Sequence, residues 1–359
     1  MRRRRDLLTD PYMSDLTLHY NVLAFIAVAL LSALFVAMIV RLAWRWRILD
    51  IPNQRSSHSI PTPRGGGLAI VLLTLAGWWC YAFWGGTVPM SMVNVYTAAA
   101  ALVALTGWID DLRSLPNLFR LSVHLAATIL LLLGGGIAWQ SLELPFFGEL
   151  TLGFWGFPLA ALWIIGLTNA YNFMDGIDAI AGIQALIAGF GWYLLGTLSD
   201  QPACAMLGTL IAASSAGFLW WNRPPAKIFM GDVGSAFLGF TLAALSVIAA
   251  QTNTRLAVAG VILVWPFVFD SIFTLLRRLC KGENIFQAHR SHLYQRLIQK
   301  GWTHGKVSAL YGALAGIGIV PAAMFVRWPT AGSWLIVILL PLLAGGLWSL
   351  VVYHEKRFS

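Results

Sequence analysis

The chain has 359 residues, of which 58% are hydrophobic and only 11% charged. A soluble domain carries about 25% charged residues, so composition excludes a soluble globular enzyme and points to an all-α, polytopic membrane protein. The net charge of +9 does not argue for a nucleic-acid partner, because there is no soluble basic domain and no base-stacking surface.

The opening MRRRRDLLTDPY shows no apolar run until after His19, so it is not a signal peptide. Residues 1–19 read as an extracytoplasmic tail, with Met13 as an alternative natural start. Residues 20–353 read as a single transmembrane domain and 354–359 as a cytoplasmic tail. About eleven apolar segments reach spanning length at 1.5 Å per residue. They lie near 20–44, 67–85, 93–109, 118–137, 157–173, 179–198, 203–221, 235–250, 256–279, 305–326 and 334–353, with edges good to about two to four residues. Several contain Gly or Pro, which bundle-buried spans tolerate because neighbouring helices satisfy freed backbone groups.

With the loop after the first span placed in the cytoplasm, nearly all basic residues from Arg41 onward fall on inner loops or the C-terminus, and only Arg255 and Arg327 fall outside. This is a strong positive-inside bias, and it accounts for most of the net charge. Arg2 to Arg5 break it. Trp78–Trp79 and Trp220–Trp221 sit near span ends, as aromatic belts do. Cys80, Cys204 and Cys280 have no metal spacing and read as free thiols. The outer acids Glu143, Glu149 and Asp200 have no pattern and read as solvated.

The inner loops carry the unusual polar clusters, again in chain order. PTPRGGG offers Arg64 and bare amides at a helix start, an anion-site pattern. Asp110 and Asp111 close the third span, where acids oppose the helix dipole at about 0.3–1 kcal/mol each. Adjacent helical residues point about 100° apart, so the pair cannot share one role in one direction. The alternative is a solvated loop start. In NAYNFMDGIDAIAG, Asn169, Asn172, Asp175 and Asp178 fall at successive steps of three. One acid could merely cap the sixth span, and Gly176 would allow a sharp turn between them. Hard oxygens at this spacing suit Mg2+, which takes one or two carboxylates plus substrate phosphates. FMGDVGS places Asp232 before a span, either as an N-cap or as part of the same acidic group, with Lys227 nearby. QAHRSHLYQRL brings His289, Arg290, His292 and Arg296 together, as ballast or as an anion grip. Asp270 lies inside the ninth span, where an acid costs about 2.5–3.5 kcal/mol on insertion scales. An ion pair with Arg277, two turns on, or a cap on the groove wall is expected in preference to chemistry.

Acids able to hold a metal, facing cations able to hold phosphates at a lipid–water boundary, describe phosphoryl transfer. Together these motifs resemble the polyprenyl-phosphate N-acetylhexosamine-1-phosphate transferases, glycosyltransferase family 4, over Asp50 to Leu297. RSSHSIPTPRGG and HRSHLYQRL are similar to the O-antigen-initiating branch. The wider family often has Asp where His289 stands and a His-x-His-His run from the position of His292. Here that run reads His292, Leu293, Tyr294, Gln295, which leaves the sugar open.

The resemblance implies a bundle of ten or eleven spans with a cytoplasmic groove in the inner membrane. It implies transfer of an N-acetylamino-sugar 1-phosphate from a UDP-sugar to polyprenyl phosphate, with release of UMP. Asp232 and Asn172 would hold Mg2+ (or Mn2+). Asp110 and Asp111 would handle the lipid phosphate, with Arg120 standing where the family commonly has Lys. Arg290 and His292 would grip the diphosphate, assisted by Arg64 and Lys227. Asp175, Asp178 and Asn169 would order the nucleotide or the metal shell. A homodimer is the expected assembly. The competing reading, a flippase or transporter of lipid-linked sugar, needs the cations but not the acids. A non-catalytic scaffold leaves the acids without a purpose.

Overall fold

The computed structural model describes residues 11–51, 60–284, 287 and 289–357, with side chains from residue 22 onward. The Arg2–Arg5 run, Arg55 and the side chain of Met13 lie outside the described residues. The helices are α1 (Pro11–Trp46), α2 (Gly67–Phe83), α3 (Met90–Leu112), α4 (Asn117–Gly135), α5 (Gly156–Met174), α6 (Ile180–Leu198) and α7 (Pro202–Asn222). They continue as α8 (Asp232–Ala250), α9 (Arg255–Leu263), α10 (Trp265–Cys280), α11 (Leu293–Gln299), α12 (His304–Arg327) and α13 (Pro329–Arg357).

Apolar runs become helices here because a bilayer offers the backbone no hydrogen-bond partner, so each segment must satisfy its own N–H and C=O groups. Among the described residues nine helices are long and apolar enough to cross a membrane, and α2, with 17 residues, is an apolar helix just below that length. The protein is a polytopic helical membrane protein. All eleven expected segments fall on helices, but 256–279 is not one span. It divides into α9 and α10, bent by 78° at a short break. Pro266 sits in the first turn of α10. Proline has no N–H to give to the preceding turn and its ring clashes there, so the chain turns instead of continuing.

Helix α8 is the axis of the bundle. Its apolar window is 94% buried, and α2, α3, α5 and α9 all pack on it. Small side chains allow this closeness, as they do generally between membrane helices. At Gly107 a Cβ would collide with the backbone of Asp232 and Val233. That contact seats the last turn of α3 on the first turn of α8, and it positions the site.

Two small antiparallel pairings complete the fold: β1 (Leu49–Asp50) with β2 (Thr62–Pro63), and β3 (Ser141–Leu144) with β4 (Gly148–Thr151). The β3–β4 hairpin corrects the expectation that the outer acids are merely solvated. It lays Glu143 against the start of α9, where its Oε2 lies 2.8 Å from Arg255 Nε, and Glu149 accepts a hydrogen bond from Ser141 Oγ. The three cysteines are free thiols.

Candidate active site

The ends of α3, α5 and α8, with the residue before the α2 glycines and the first turn of α4, converge at one end of the bundle. Asp111 faces α8. Its Oδ1 accepts from the Asp232 N–H at 2.9 Å and its Oδ2 from the Val233 N–H at 3.1 Å. Those amides are unpaired donors at a helix start, so Asp111 caps α8 from another helix. Gly231 precedes them with φ of 77°, and a Cβ there would strike the Asp111 carboxylate. Asp232 is therefore the first residue of α8 and not its N-cap.

Asp110 turns the other way. Its Oδ1 accepts from the Leu115 N–H at 2.5 Å, and its Oδ2 accepts from Arg120 Nη1 at 2.7 Å. The same Nη1 donates to Asp232 Oδ2 at 2.8 Å, and Arg120 Nη2 donates to Asn117 Oδ1 at 2.7 Å. Arg64 completes the network, with Nε 3.1 Å from Asp111 Oδ1 and Nη2 3.7 Å from Asp232 Oδ1. Burial alone would lower the Arg64 pKa, but Asp111, Asp232, Asp50 and Asp175 together raise it. Its charge is secure.

Asp175 ends α5 and faces the same acids. Burial first, and then the neighbouring Asp232, push its carboxyl well above the usual carboxylate range, with Arg64 opposing. One turn earlier on α5, Asn172 Nδ2 donates to Ser235 Oγ at 2.9 Å, which leaves Asn172 Oδ1 as an acceptor. The donor set is thus hard oxygen in a strongly anionic neighbourhood. No three His, Cys, Asp or Glu side chains among the described residues form a closed metal cage. Mg2+ does not need one, since it completes its shell with waters and phosphate oxygens. The residues present fit that ion.

Other expected site residues lie apart from this network. Asp178 is buried; its Oδ2 accepts from the Ala226 N–H at 3.1 Å and lies 3.2 Å from His304 Nδ1. It ties the α5–α6 loop to α12, and it does not cap α6, whose N-cap is Ala179 with φ of 68°. Asn169 Nδ2 donates to Ile165 O within its own helix. Lys227 is exposed, with Nζ 5.3 Å above the Trp221 ring. The PTPRGGG amides are no anion cradle, because Gly66 and Gly67 donate to Phe229 O and Met230 O, each at 2.9 Å. The glycines admit the FMGD segment and not a ligand. Gly176 also serves close approach and not a turn, since a Cβ there would meet the Tyr294 hydroxyl.

Arg290 and His292 lie between α10 and α11, and Arg290 O accepts from Gln299 Nε2 at 2.8 Å. Asp270 is fully buried and does not pair with Arg277. Its partners are His292, Leu293, Tyr294, Thr274 and Tyr311, while Arg277 donates to Ser291 O. Both residues lie on α10, about 10.5 Å apart along the helix axis at 1.5 Å per residue, and groups from α11 and α12 reach Asp270 first. Sequence reading missed Asn117, Ser235, His304 and Tyr311. These are ordinary polar residues whose roles depend on contacts distant in sequence.

A groove of about 720 Å3 runs between α5 and the broken pair α9–α10. Leu159, Leu162, Trp163, Val258, Val261 and Leu275 line its body, and Asn169, Arg278, His289 and His292 are among its few polar lining residues.

Residues 93–250 match the family model described as glycosyl transferase family 4. That stretch spans α3 to α8 and holds Asp110, Asp111, Asn172, Asp175 and Asp232. The chain is also 31% identical over 318 residues to a probable undecaprenyl-phosphate N-acetylglucosaminyl 1-phosphate transferase of Bacillus subtilis (strain 168), covering 88% of this chain and 86% of the relative. The chain belongs to glycosyl transferase family 4. Within that family it is 32% identical over 311 residues to a decaprenyl-phosphate N-acetylglucosaminephosphotransferase of Mycobacterium leprae, covering 79% and 78% of the two chains. It is 29% identical over 305 residues to a phospho-N-acetylmuramoyl-pentapeptide-transferase of Chloroflexus aurantiacus, covering 76% and 81%.

Proposed function

We propose that this family member transfers an N-acetylamino-sugar 1-phosphate, of the GlcNAc or FucNAc type, from its UDP-sugar to undecaprenyl or a similar polyprenyl phosphate. The products are polyprenyl-diphosphate sugar and UMP, and the reaction starts a lipid-linked O-antigen or other cell-envelope glycan. The observation that carries this reading is a network of four carboxylates and two arginines at the inner-loop end of a helical membrane bundle. An apolar groove begins one turn away along α5. A polyprenyl chain suits the groove, and a phosphate suits its cationic mouth. The positive-inside bias supports a site facing the cytoplasm at the inner membrane.

A lipid-phosphate oxygen forms the new bond to the sugar-bearing β-phosphorus, and the bond from that phosphorus to the bridging oxygen breaks, so UMP leaves with the bridging oxygen. A phosphate monoester with a second pKa of about 6 is mostly dianionic at neutral pH, so no protein base is required. Asp232 and Asn172 Oδ1 would hold Mg2+ (or Mn2+), which when bound supplies charge neutralisation for the diphosphate. The protein's part is then positioning and electrostatics. Arg120, drawn between Asp110 and Asp232, would take the lipid phosphate once a cation shares those acids. Arg290 and His292 would orient the sugar diphosphate from the far side. Asp175 gains most from an added cation, because its ionised form is otherwise penalised by burial and by Asp232.

The test is purified full-length protein in detergent, given undecaprenyl phosphate, UDP-GlcNAc or UDP-FucNAc, and Mg2+. UMP release dependent on the lipid phosphate is expected. Release of UDP, or movement of a preformed lipid-linked sugar across a vesicle without UMP, would favour a different reaction or the flippase reading.

A further inference from the structure

Asp270, the one acid of the broken span, takes no part in the proposed chemistry, yet it is heavily bonded. Its side chain is fully buried. Oδ1 accepts from the Leu293 N–H at 2.9 Å and from Thr274 Oγ1 at 3.1 Å, and faces His292 Nδ1 at 3.1 Å. Oδ2 accepts from Tyr311 Oη at 2.6 Å and from the Tyr294 N–H at 3.2 Å. The two amides are obligate donors, so both oxygens act as acceptors. Of the two imidazole nitrogens, the one facing such an oxygen must carry hydrogen. Nδ1 of His292 is therefore the protonated nitrogen. The ring lines the groove.

The cage also holds the ring in place. The Tyr294 ring stacks on His292 at 5.9 Å, and the Tyr294 hydroxyl donates to Phe173 O at 3.0 Å, at the end of the helix that carries Asn172. His289 lies against the other side at 5.1 Å between ring centroids. Among the described residues, the charged and titratable groups against this pair include Asp270 of α10, His289 of the loop and Tyr294 of α11 around His292, and Tyr311 of α12 on Asp270, while Arg278 of α10 lines the same groove.

We infer that Asp270 is a positioning residue: from within α10 it fixes His292 with a protonated Nδ1 and aims Nε2 at the polar lining of the groove. The use of that aim, contact with the transferring diphosphate, rests on the function proposed above. The protonated Nδ1 does not.

Two measurements separate them. In full-length protein labelled with 15N-histidine in detergent, the His292 signals are those lost in His292→Gln. Wild type should show a protonated Nδ1, and Asp270→Asn, whose amide can donate to the ring, should move the proton to Nε2. An unprotonated Nδ1 in wild type overturns the inference even if Asp270→Asn fails to fold. For turnover, Asp270→Asn and His292→Gln should each lower kcat at least tenfold, and Asp270→Asn should add less than twofold in the His292→Gln background, as expected when one residue acts through the other. Additive losses would make Asp270 a purely structural tie. A protonated Nδ1 in a wild-type protein that releases no UMP would leave the positioning intact and remove the proposed reaction.

Discussion

Asp110 and Asp111 are adjacent, yet they face different surroundings. Both oxygens of Asp111 accept backbone N–H groups of α8, and its side chain is fully buried. An Asn there presents an amide NH2 to one of those donors. Leaving a buried donor unsatisfied costs about 1–3 kcal/mol, so Asp111→Asn should lower the thermal midpoint in detergent. Asp110 faces Arg120 and the α3–α4 loop, and Asp110→Asn should mainly lower turnover, by at least about a hundredfold, or roughly 3 kcal/mol of barrier. Equal stability losses with equal activities would dissolve the distinction. His289 gives a prediction in pH. Burial first, then His292 and Arg278, lower its pKa from 6.5 to about 4. A depressed folded-state value contributes stability that is present above 6.5 and lost as pH falls toward about 4. The thermal midpoint should therefore drop across that window, and His289→Gln should flatten this part of the drop. That the acids at these helix ends have a role was legible in the sequence, because uncompensated carboxylates in so apolar a chain need a reason. Which atom each acid meets was not, because Asp111 and Asp232 are brought together by a glycine contact between helices distant in sequence.

At the scale of elements, apolar length placed all eleven expected segments on helices but not the short α11, since apolar runs of spanning length have no other stable form in a bilayer. The break between α9 and α10 was harder to see. Pro266 marked a perturbation, but proline is tolerated in membrane helices, and only the partners of Asp270 show where the second half turns. The α5–α6 loop carries the same lesson. Gly176 looked like a turn residue, whereas the left-handed position is Ala179 and Gly176 makes room for Tyr294. Gly176→Ala should push the Tyr294 hydroxyl off Phe173 O and cost about 1–3 kcal/mol, as overpacking does. The loss should appear as a lower thermal midpoint, and Tyr294→Phe should relieve part of it. A Gly176→Ala protein as stable as wild type would mean that the loop packs less tightly than described.

Across the whole molecule, the bundle sets an anionic network beside an apolar groove, with α5, which carries Asn172 and lines the groove with Leu159 and Leu162, as the shared wall. Asp232 lies at the centre, drawn on by Arg120 and Arg64 and held on a helix start capped by Asp111. Asn at this position keeps the shape but removes the charge that would share a cation with the substrate diphosphate. The decisive measurement is UMP release by wild type and Asp232→Asn, each reconstituted with polyprenyl phosphate and UDP-sugar and titrated with Mg2+. Wild type should be silent without the ion and rise to saturation, while Asp232→Asn, inserted normally, should lose most turnover and show a weaker Mg2+ dependence in what remains. Near wild-type turnover in Asp232→Asn, with an unchanged Mg2+ titration, would contradict transfer at this network.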